Sequence, residues 1–301
     1  MSLSRPVKFP ILKLPFLCIE AVVKNWNVFD MISFALFSKR TRQIVKHLKI
    51  PLNRIRIFLS TSKEIELANS FRKWYFRNES KPGFLSAGHQ KSRKNPLVLR
   101  MNGVSLYTSK TFNSLVSYTD GNEMAAVKMV MEFLNEVFKC SVERVDIYND
   151  NYPESGDIGV KSTVDLSIDR HFGYARSQKL SLLLANLEVT GTCEFRMNST
   201  EKDFFVNPKL FKCKKLLFWM GSDAWVTREI LLQFEVPRLK FRECPFSVED
   251  IAAFIAQWFQ FDNKKLEYLY IPFRCRKFSL ETFRTAELNP VPFRERNRAP
   301  S

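Results

Sequence analysis

Three amphipathic patterns follow one another over residues 9–50. Apolar side chains recur at helical spacing after Pro15, whose missing N–H suits the first turn of a helix. A second helix is expected to begin after Asn27, with Asp30 as its capping partner, and a third after Ser38. The sequence therefore predicts three short helices with more apolar surface than a segment of this length can bury by itself.

Beyond these helices, strand and helix patterns alternate along residues 51–272. Apolar runs on both sides of Asn102-Gly103 predict a β-hairpin, because this dipeptide suits a tight turn. A helix is predicted over 123–138, and an apolar run at 180–189 predicts a strand. Further strands are predicted at 54–59, 142–148, 216–219, 238–241 and 266–271, and further helices after Thr227 and Ser247.

Several of these strands share a degenerate pattern, in which an apolar residue precedes Leu or Val by three positions and a second apolar residue follows by two. The central leucines are Leu216, Leu239 and Leu269, separated by 23 and 30 residues. The pattern resembles the strand of a leucine-rich repeat, in which stacked helix–strand units share one core. An ordinary α/β domain with sequential strands is the alternative.

Composition places the chain among globular proteins. It has 301 residues, of which 45% are hydrophobic, so a substantial core can form. The six cysteines contain no C-x-x-C pair, which favours reduced thiols and an intracellular protein, cytoplasmic or nuclear. No apolar run approaches the roughly 20 residues that cross a bilayer, and the N-terminus fits a secretory signal poorly.

The net charge of +16 is concentrated in one part of the chain. Residues 37–110 hold 17 Lys and Arg against 3 Asp and Glu. This basic block favours either a solvated surface or binding to nucleic acid or an acidic protein. Aromatic residues that can stack on bases lie among the charges: Phe71, Trp74, Tyr75 and Phe76.

No catalytic or metal-binding motif is present in the sequence. Phosphate-binding loops, H-E-x-x-H helices and G-x-S-x-G elbows are all missing. The three histidines, His47, His89 and His171, are isolated from each other and from cysteine pairs. We therefore expect a non-enzymatic protein without catalytic residues, cofactor or metal.

Residues 9–50 resemble an F-box. Leu14-Pro15 matches the opening of the motif, the stretch from Phe29 to Ile32 its second segment, and the stretch from Leu36 to Arg40 its third. Ser38 stands where many members have Cys, and Thr41 where many have Trp. The opening FPILKLPFLCIEAVVKN is similar to the nematode branch of the family.

The C-terminal half carries a second resemblance. The stretch that begins at Trp225, followed by RLKFRECPFSVEDIAAFIAQWF and KLEYLYI, is similar to the F-box-associated domain of nematode F-box proteins. The two resemblances imply an α+β protein with an F-box at 8–50 and an α/β substrate-binding domain at 51–272. A basic tail at 273–301 follows, which is expected to be partly disordered.

The resemblance also implies a function. An F-box binds a Skp-type adaptor, which links it to a cullin scaffold, while the second domain holds a target protein for ubiquitination. The adaptor-binding residues implied by the motif are Leu14, Pro15, Val22, Phe29, Ile32 and Leu36. A basic nucleic-acid-binding protein that uses residues 37–110 is the alternative, and the target protein is unknown.

Overall fold

The structure is a computed structural model that divides the chain into two compact units, Met1–Thr163 and Val164–Ser301. It describes residues 11–67, 72–78, 97–101, 104–111, 113–119, 121–149, 151–170, 177–197, 204–219, 221–243, 246–260 and 265–272. The predicted basic tail at 273–301 lies outside these residues, and the predicted domain boundaries at 50 and 272 stay predictions. Both units mix helices with strands, in agreement with the predicted α+β class.

The first unit begins with the three predicted helices and continues into a sheet. Its helices are α1 Phe16–Lys24, α2 Val28–Phe37, α3 Lys39–Leu48 and α4 Glu123–Val137. Its strands are β1 Pro51–Leu59, β2 Lys63–Leu67, β3 Arg72–Asn78, β4 Leu97–Met101, β5 Val104–Lys110, β6 Ser114–Thr119, β7 Lys139–Tyr148 and β8 Ser162–Thr163. The antiparallel pairing of β4 with β5 confirms the predicted hairpin, whose turn lies outside the described residues.

The sheet of the first unit runs in the order β7-β1-β2-β3-β6-β5-β4. The pairs β1–β7 and β3–β6 are parallel, and the other neighbours are antiparallel. One register row crosses five of these strands and is buried throughout, and α4 contacts three of those strands. The row consists of Val145, Ile57, Ile65, Trp74 and Leu115.

The second unit is built on a parallel sheet. Its strands are β9 Asp165–Arg170, β10 Glu188–Val189, β11 Thr192–Met197, β12 Lys215–Phe218, β13 Arg238–Phe241 and β14 Tyr268–Tyr270. Its helices are α5 Ser177–Asn186, α6 Arg228–Leu231 and α7 Val248–Gln260. The sheet order is β9-β11-β12-β13-β14, and all four neighbouring pairs are parallel.

The central leucines of the repeat pattern lie side by side in this sheet. Leu216 pairs in register with Leu239, which pairs with Leu269 on the other side. Two residues further along the strands, the ring of Phe218 stacks on Phe195 at 5.4 Å and on Phe241 at 5.3 Å between centroids. These stacked and fully buried rings belong to the core of the unit.

The strand predicted at 180–189 is wrong over most of its length, because residues up to Asn186 belong to α5. Leu180, Leu183 and Leu184 are buried there, at the spacing of one helix face. Leucine favours helices, and an unbroken apolar run contains no alternation that would specify a strand.

Candidate functional site

The predicted caps fix the beginnings of the N-terminal helices. At α2, the Asn27 side chain accepts a hydrogen bond from the Asp30 N–H at 3.0 Å. At α3, the Ser38 hydroxyl accepts from the Thr41 N–H at 3.1 Å, and the Thr41 hydroxyl accepts from the Ser38 N–H at 2.9 Å. This reciprocal pair satisfies backbone donors that the helix cannot satisfy itself.

The structure divides the six candidate adaptor-binding residues by burial. Phe29 and Ile32 are fully buried inside the first unit and present no surface to a partner. Pro15 and Val22 are exposed, whereas Leu14 and Leu36 are half-buried. Four of the six residues therefore have side-chain surface that a partner can contact in this structure.

Other apolar side chains of the same helices are more exposed than Val22, which keeps 38% of its surface. Leu17 keeps 74% of its surface, Phe37 keeps 80% and Phe16 keeps 47%. Adjacent apolar residues elsewhere in α2 are both buried, so adjacency in the sequence did not signal this exposure. These three side chains, with Val22, are the exposed helix residues considered below.

Specific contacts attach the helices to the rest of the first unit. The Asp30 carboxylate on α2 pairs with the Lys110 ammonium on β5. On α3, the Arg42 guanidinium pairs with Glu136 on α4 at 3.8 Å and lies 5.4 Å from the centroid of the Phe133 ring. The three helices are thus held on a folded support rather than forming a free segment.

Several cations of the basic block at 37–110 have partners within the first unit. Lys63 is buried and donates a hydrogen bond to Asn151 at 2.8 Å, and its burial lowers the pKa of the ammonium group. Lys73 pairs with Glu64 at 2.8 Å, and this hydrogen bond raises the pKa of Lys73. Part of the positive charge of the basic block is therefore engaged in contacts within the first unit.

Two aromatic residues of the basic block belong to the core. Trp74 is fully buried and donates its indole N–H to the Ser117 hydroxyl at 2.8 Å. Phe76 is 1% exposed. Neither ring can stack on a base in this structure, Tyr75 is half-buried, and Phe71 lies outside the described residues.

In the second unit, a tryptophan is held between two arginines after the end of β12. The guanidinium carbons of Arg196 and Arg242 lie 4.8 Å and 4.2 Å from the centroid of the Trp219 ring. The indole N–H of Trp219 donates to Glu194, which also pairs with Arg196 at 2.9 Å. Cation–π contacts and a shared carboxylate fix this arrangement, which the sequence analysis did not identify.

The described cysteines are free thiols. Cys193 and Cys213 are buried neighbours, and burial raises the pKa of Cys193 while the hydrogen bond from Cys193 lowers that of Cys213. Burial raises the pKa of Cys140 to about 12. Among the described residues, no group of three or more His, Cys, Asp or Glu side chains is placed to hold a metal ion.

Comparison with known proteins supports the second sequence resemblance. Residues 208–271 match the family model described as F-box associated, a range that contains β12, β13 and β14 with α6 and α7. No curated protein and no solved structure matches the chain. In the described part of the chain, no helix is long and apolar enough to span a membrane.

Proposed function

We propose that the chain is the substrate-recognition subunit of a Skp-cullin-F-box ubiquitin ligase. The observation that carries this proposal is the F-box-associated match at residues 208–271, in a chain whose residues 9–50 resemble an F-box. In this role the N-terminal helices bind a Skp-type adaptor, and the second unit binds a target protein. The chain performs no covalent chemistry itself and requires no cofactor or metal.

The exposed helix residues support the adaptor-binding half of the proposal. Leu17 and Phe37 lie on α1 and at the end of α2 with most of their surface in water. Covering one such side chain at an interface contributes about 1.5–3 kcal/mol. A partner that covers both, together with Pro15 and Val22, would gain an apolar interface core from residues that the fold itself leaves unused.

The target-binding role depends on the presence of two binding surfaces in one chain. A receptor that holds the adaptor at one surface and the target at another raises the effective concentration of the target at the ligase. We propose that the parallel, in-register strands of the second unit repeat in the manner of leucine-rich repeats. The resemblance of residues 9–50 supports assignment of the helices to the nematode type of F-box.

Co-expression with a Skp-type adaptor tests the proposal. We expect the adaptor to co-purify with the wild-type chain, and we expect the double variant Leu14→Ala with Pro15→Ala to lose it. Circular dichroism of the variant must match that of the wild type, so that loss of binding is not loss of folding. Failure of the wild type to retain any Skp-type adaptor would overturn the proposal.

The nucleic-acid-binding alternative has weaker support. Lys63 and Lys73 have partners within the first unit, and Trp74 and Phe76 lie in its core. The alternative requires binding of RNA or DNA that weakens steeply with added salt. A gel-shift titration at two salt concentrations distinguishes it from the adaptor-binding role.

A further inference from the structure

The parallel sheet of the second unit has one apolar side and one charged side. Successive side chains of a strand point to opposite faces, so the residues between the core leucines and phenylalanines share the other face. In β12 and β13 these alternate residues are Lys215, the buried Leu217, Arg238 and Lys240. Cations in neighbouring strands therefore lie on the same side of the sheet.

Strand register brings these residues into two rows. In the first row Lys215 pairs with Arg238, which pairs with Tyr268. In the second row Lys240 pairs with Tyr270, and its ammonium lies 4.8 Å from the centroid of the tyrosine ring. We call this surface the basic–aromatic face, defined by Lys215, Arg238, Lys240, Arg242, Tyr268 and Tyr270.

The basic–aromatic face is accessible to a ligand. Tyr268 keeps 50% of its surface and Tyr270 keeps 41%, and Arg238 and Arg242 are also exposed. Exposed tyrosines beside cations are typical of residues that dominate binding, because their rings bring a large contact area at little entropic cost.

The cations of the face are not neutralised within the described part of the chain. No described carboxylate pairs with Lys215, Arg238, Lys240 or Arg242. By contrast, Arg196 beside them is paired with Glu194. Among the described residues, the face thus holds positive charge without a carboxylate partner, to which an anionic ligand would be complementary.

We propose that the basic–aromatic face binds an acidic segment of the target protein, an inference that rests on the proposed function. The three strands that carry the face lie at about 4.8 Å spacing, so the face is about 10 Å wide and an extended segment of about three residues crosses it. Carboxylates of such a segment pair with the lysines and arginines, and its apolar groups contact Tyr268 and Tyr270.

The charges on this side of the sheet favour a protein ligand over a nucleic acid. Asp169 lies opposite Arg196 in register, and Glu194 occupies the row of Lys240. Glu194 is buried, but a phosphate backbone with a charge at every nucleotide that crossed to β9 would approach the half-buried Asp169, whereas a peptide can place its acidic residues at the cations alone. The presence of both cationic and anionic side chains on this side of the sheet therefore favours a ligand with spaced negative charges.

Fluorescence anisotropy with the full chain tests the inference. The probe is a labelled 12-residue peptide of alternating Glu and Ser, and the reference peptide alternates Gln and Ser. We expect the wild type to bind the Glu peptide and not the Gln peptide. The variant Arg238→Gln with Lys240→Gln should bind the Glu peptide at least tenfold more weakly.

A matched variant controls for net charge. Lys209 and Lys212 are exposed and precede β12, outside the face, so Lys209→Gln with Lys212→Gln should leave peptide binding unchanged. Equal loss in both double variants, or no binding of the Glu peptide by the wild type, would overturn the inference. Tighter binding of oligouridine that is lost in the face variant would overturn it too, as evidence for a nucleic-acid interface.

Adaptor retention, measured on the same preparations, separates this inference from the proposed function. The face variant should retain the Skp-type adaptor as the wild type does, because its changes lie in the second unit. A chain that retains the adaptor but ignores the Glu peptide contradicts the inference alone. A wild type that binds the peptide without retaining any adaptor contradicts the proposed function.

Discussion

Ser38 and Thr41 cap α3 reciprocally, each accepting a hydrogen bond from the backbone N–H of the other. These are two positions at which residues 9–50 differ from many members of the F-box family that they resemble. Thr41 is fully buried, so the pair also occupies core space at the beginning of the helix. The departures from the common F-box pattern therefore form a local stabilising motif of their own.

Removal of this capping pair should destabilise the first unit. We expect Ser38→Ala to lower the free energy of unfolding by about 1 kcal/mol, because an orphan helix N–H loses its acceptor. The double variant with Thr41→Val should cost less than the sum of the single variants, since the two bonds belong to one motif. Urea denaturation measures both, with the exposed Ser62→Ala as control.

Buried and exposed apolar residues of the N-terminal helices should differ in their effect on stability. Ile32→Ala should lower the free energy of unfolding by about 2–5 kcal/mol, because it leaves a cavity in the core. Leu17→Ala should change it by less than about 0.5 kcal/mol, because Leu17 lies at the surface. Similar destabilisation in the two variants would show that the helices are packed differently from the structure.

Alanine in place of Gly159 should destabilise the first unit. Its φ is +79°, and an added Cβ would lie 2.5 Å from the carbonyl oxygen of Lys128. Gly121 is a matched control, with φ of +88° and its nearest neighbour, the Asn78 side chain, at 3.6 Å. Gly159→Ala should therefore cost at least about 1 kcal/mol more than Gly121→Ala in urea denaturation.

Asp223 should make stability depend on pH. Burial, with a further contribution from the charge of Glu243, raises the pKa of its carboxyl from 3.8 to about 6. Because the folded state binds the proton more tightly, the resulting stability is present below about pH 4 and is lost as the pH rises through 6. Asp223→Asn should thus be more stable than the wild type at pH 7.5 and similar to it at pH 4.

A control with the opposite sign is available at Asp157. Its hydrogen bond with Lys128 lowers the pKa of its carboxyl, so its contribution to stability is present at neutral pH and lost as the pH falls below its ordinary value. Asp157→Asn should therefore be less stable than the wild type at pH 7.5. For either variant, a difference in urea midpoint from the wild type that does not change with pH would contradict the assignment.

The sequence predicted local structure, such as helix caps, better than it predicted which residues form the exposed binding surfaces. The caps at Asn27, Ser38 and Ser247 are confirmed, because each depends on residues only three positions apart. The strands β9 and β11 were missed although Leu166–Ile168 and Cys193–Phe195 alternate with polar residues. Short strands give few repeats of the pattern, so alternation alone identifies them poorly.

The candidate sites depend on contacts between distant residues. Phe29 and Leu17 are both apolar residues of amphipathic helices, yet one is buried and the other is exposed. The difference arises because other elements cover Phe29 on α2 and leave Leu17 on α1 uncovered. Helical periodicity does not specify which elements cover a helix. The basic–aromatic face likewise requires the register of β12 with β13, in which Lys215 meets Arg238.

Calorimetric titration of a purified Skp-type adaptor into the chain tests the central claim most directly. The variants are Leu17→Ser, on the exposed surface of α1, and Leu182→Ser, an exposed leucine of α5 that serves as the matched control. We predict that the wild type and Leu182→Ser bind the adaptor equally, and that Leu17→Ser binds at least tenfold more weakly, since burial of a leucine contributes about 1.5–3 kcal/mol. Equal affinity of Leu17→Ser and the wild type, or no binding by the wild type, would contradict adaptor docking on these helices.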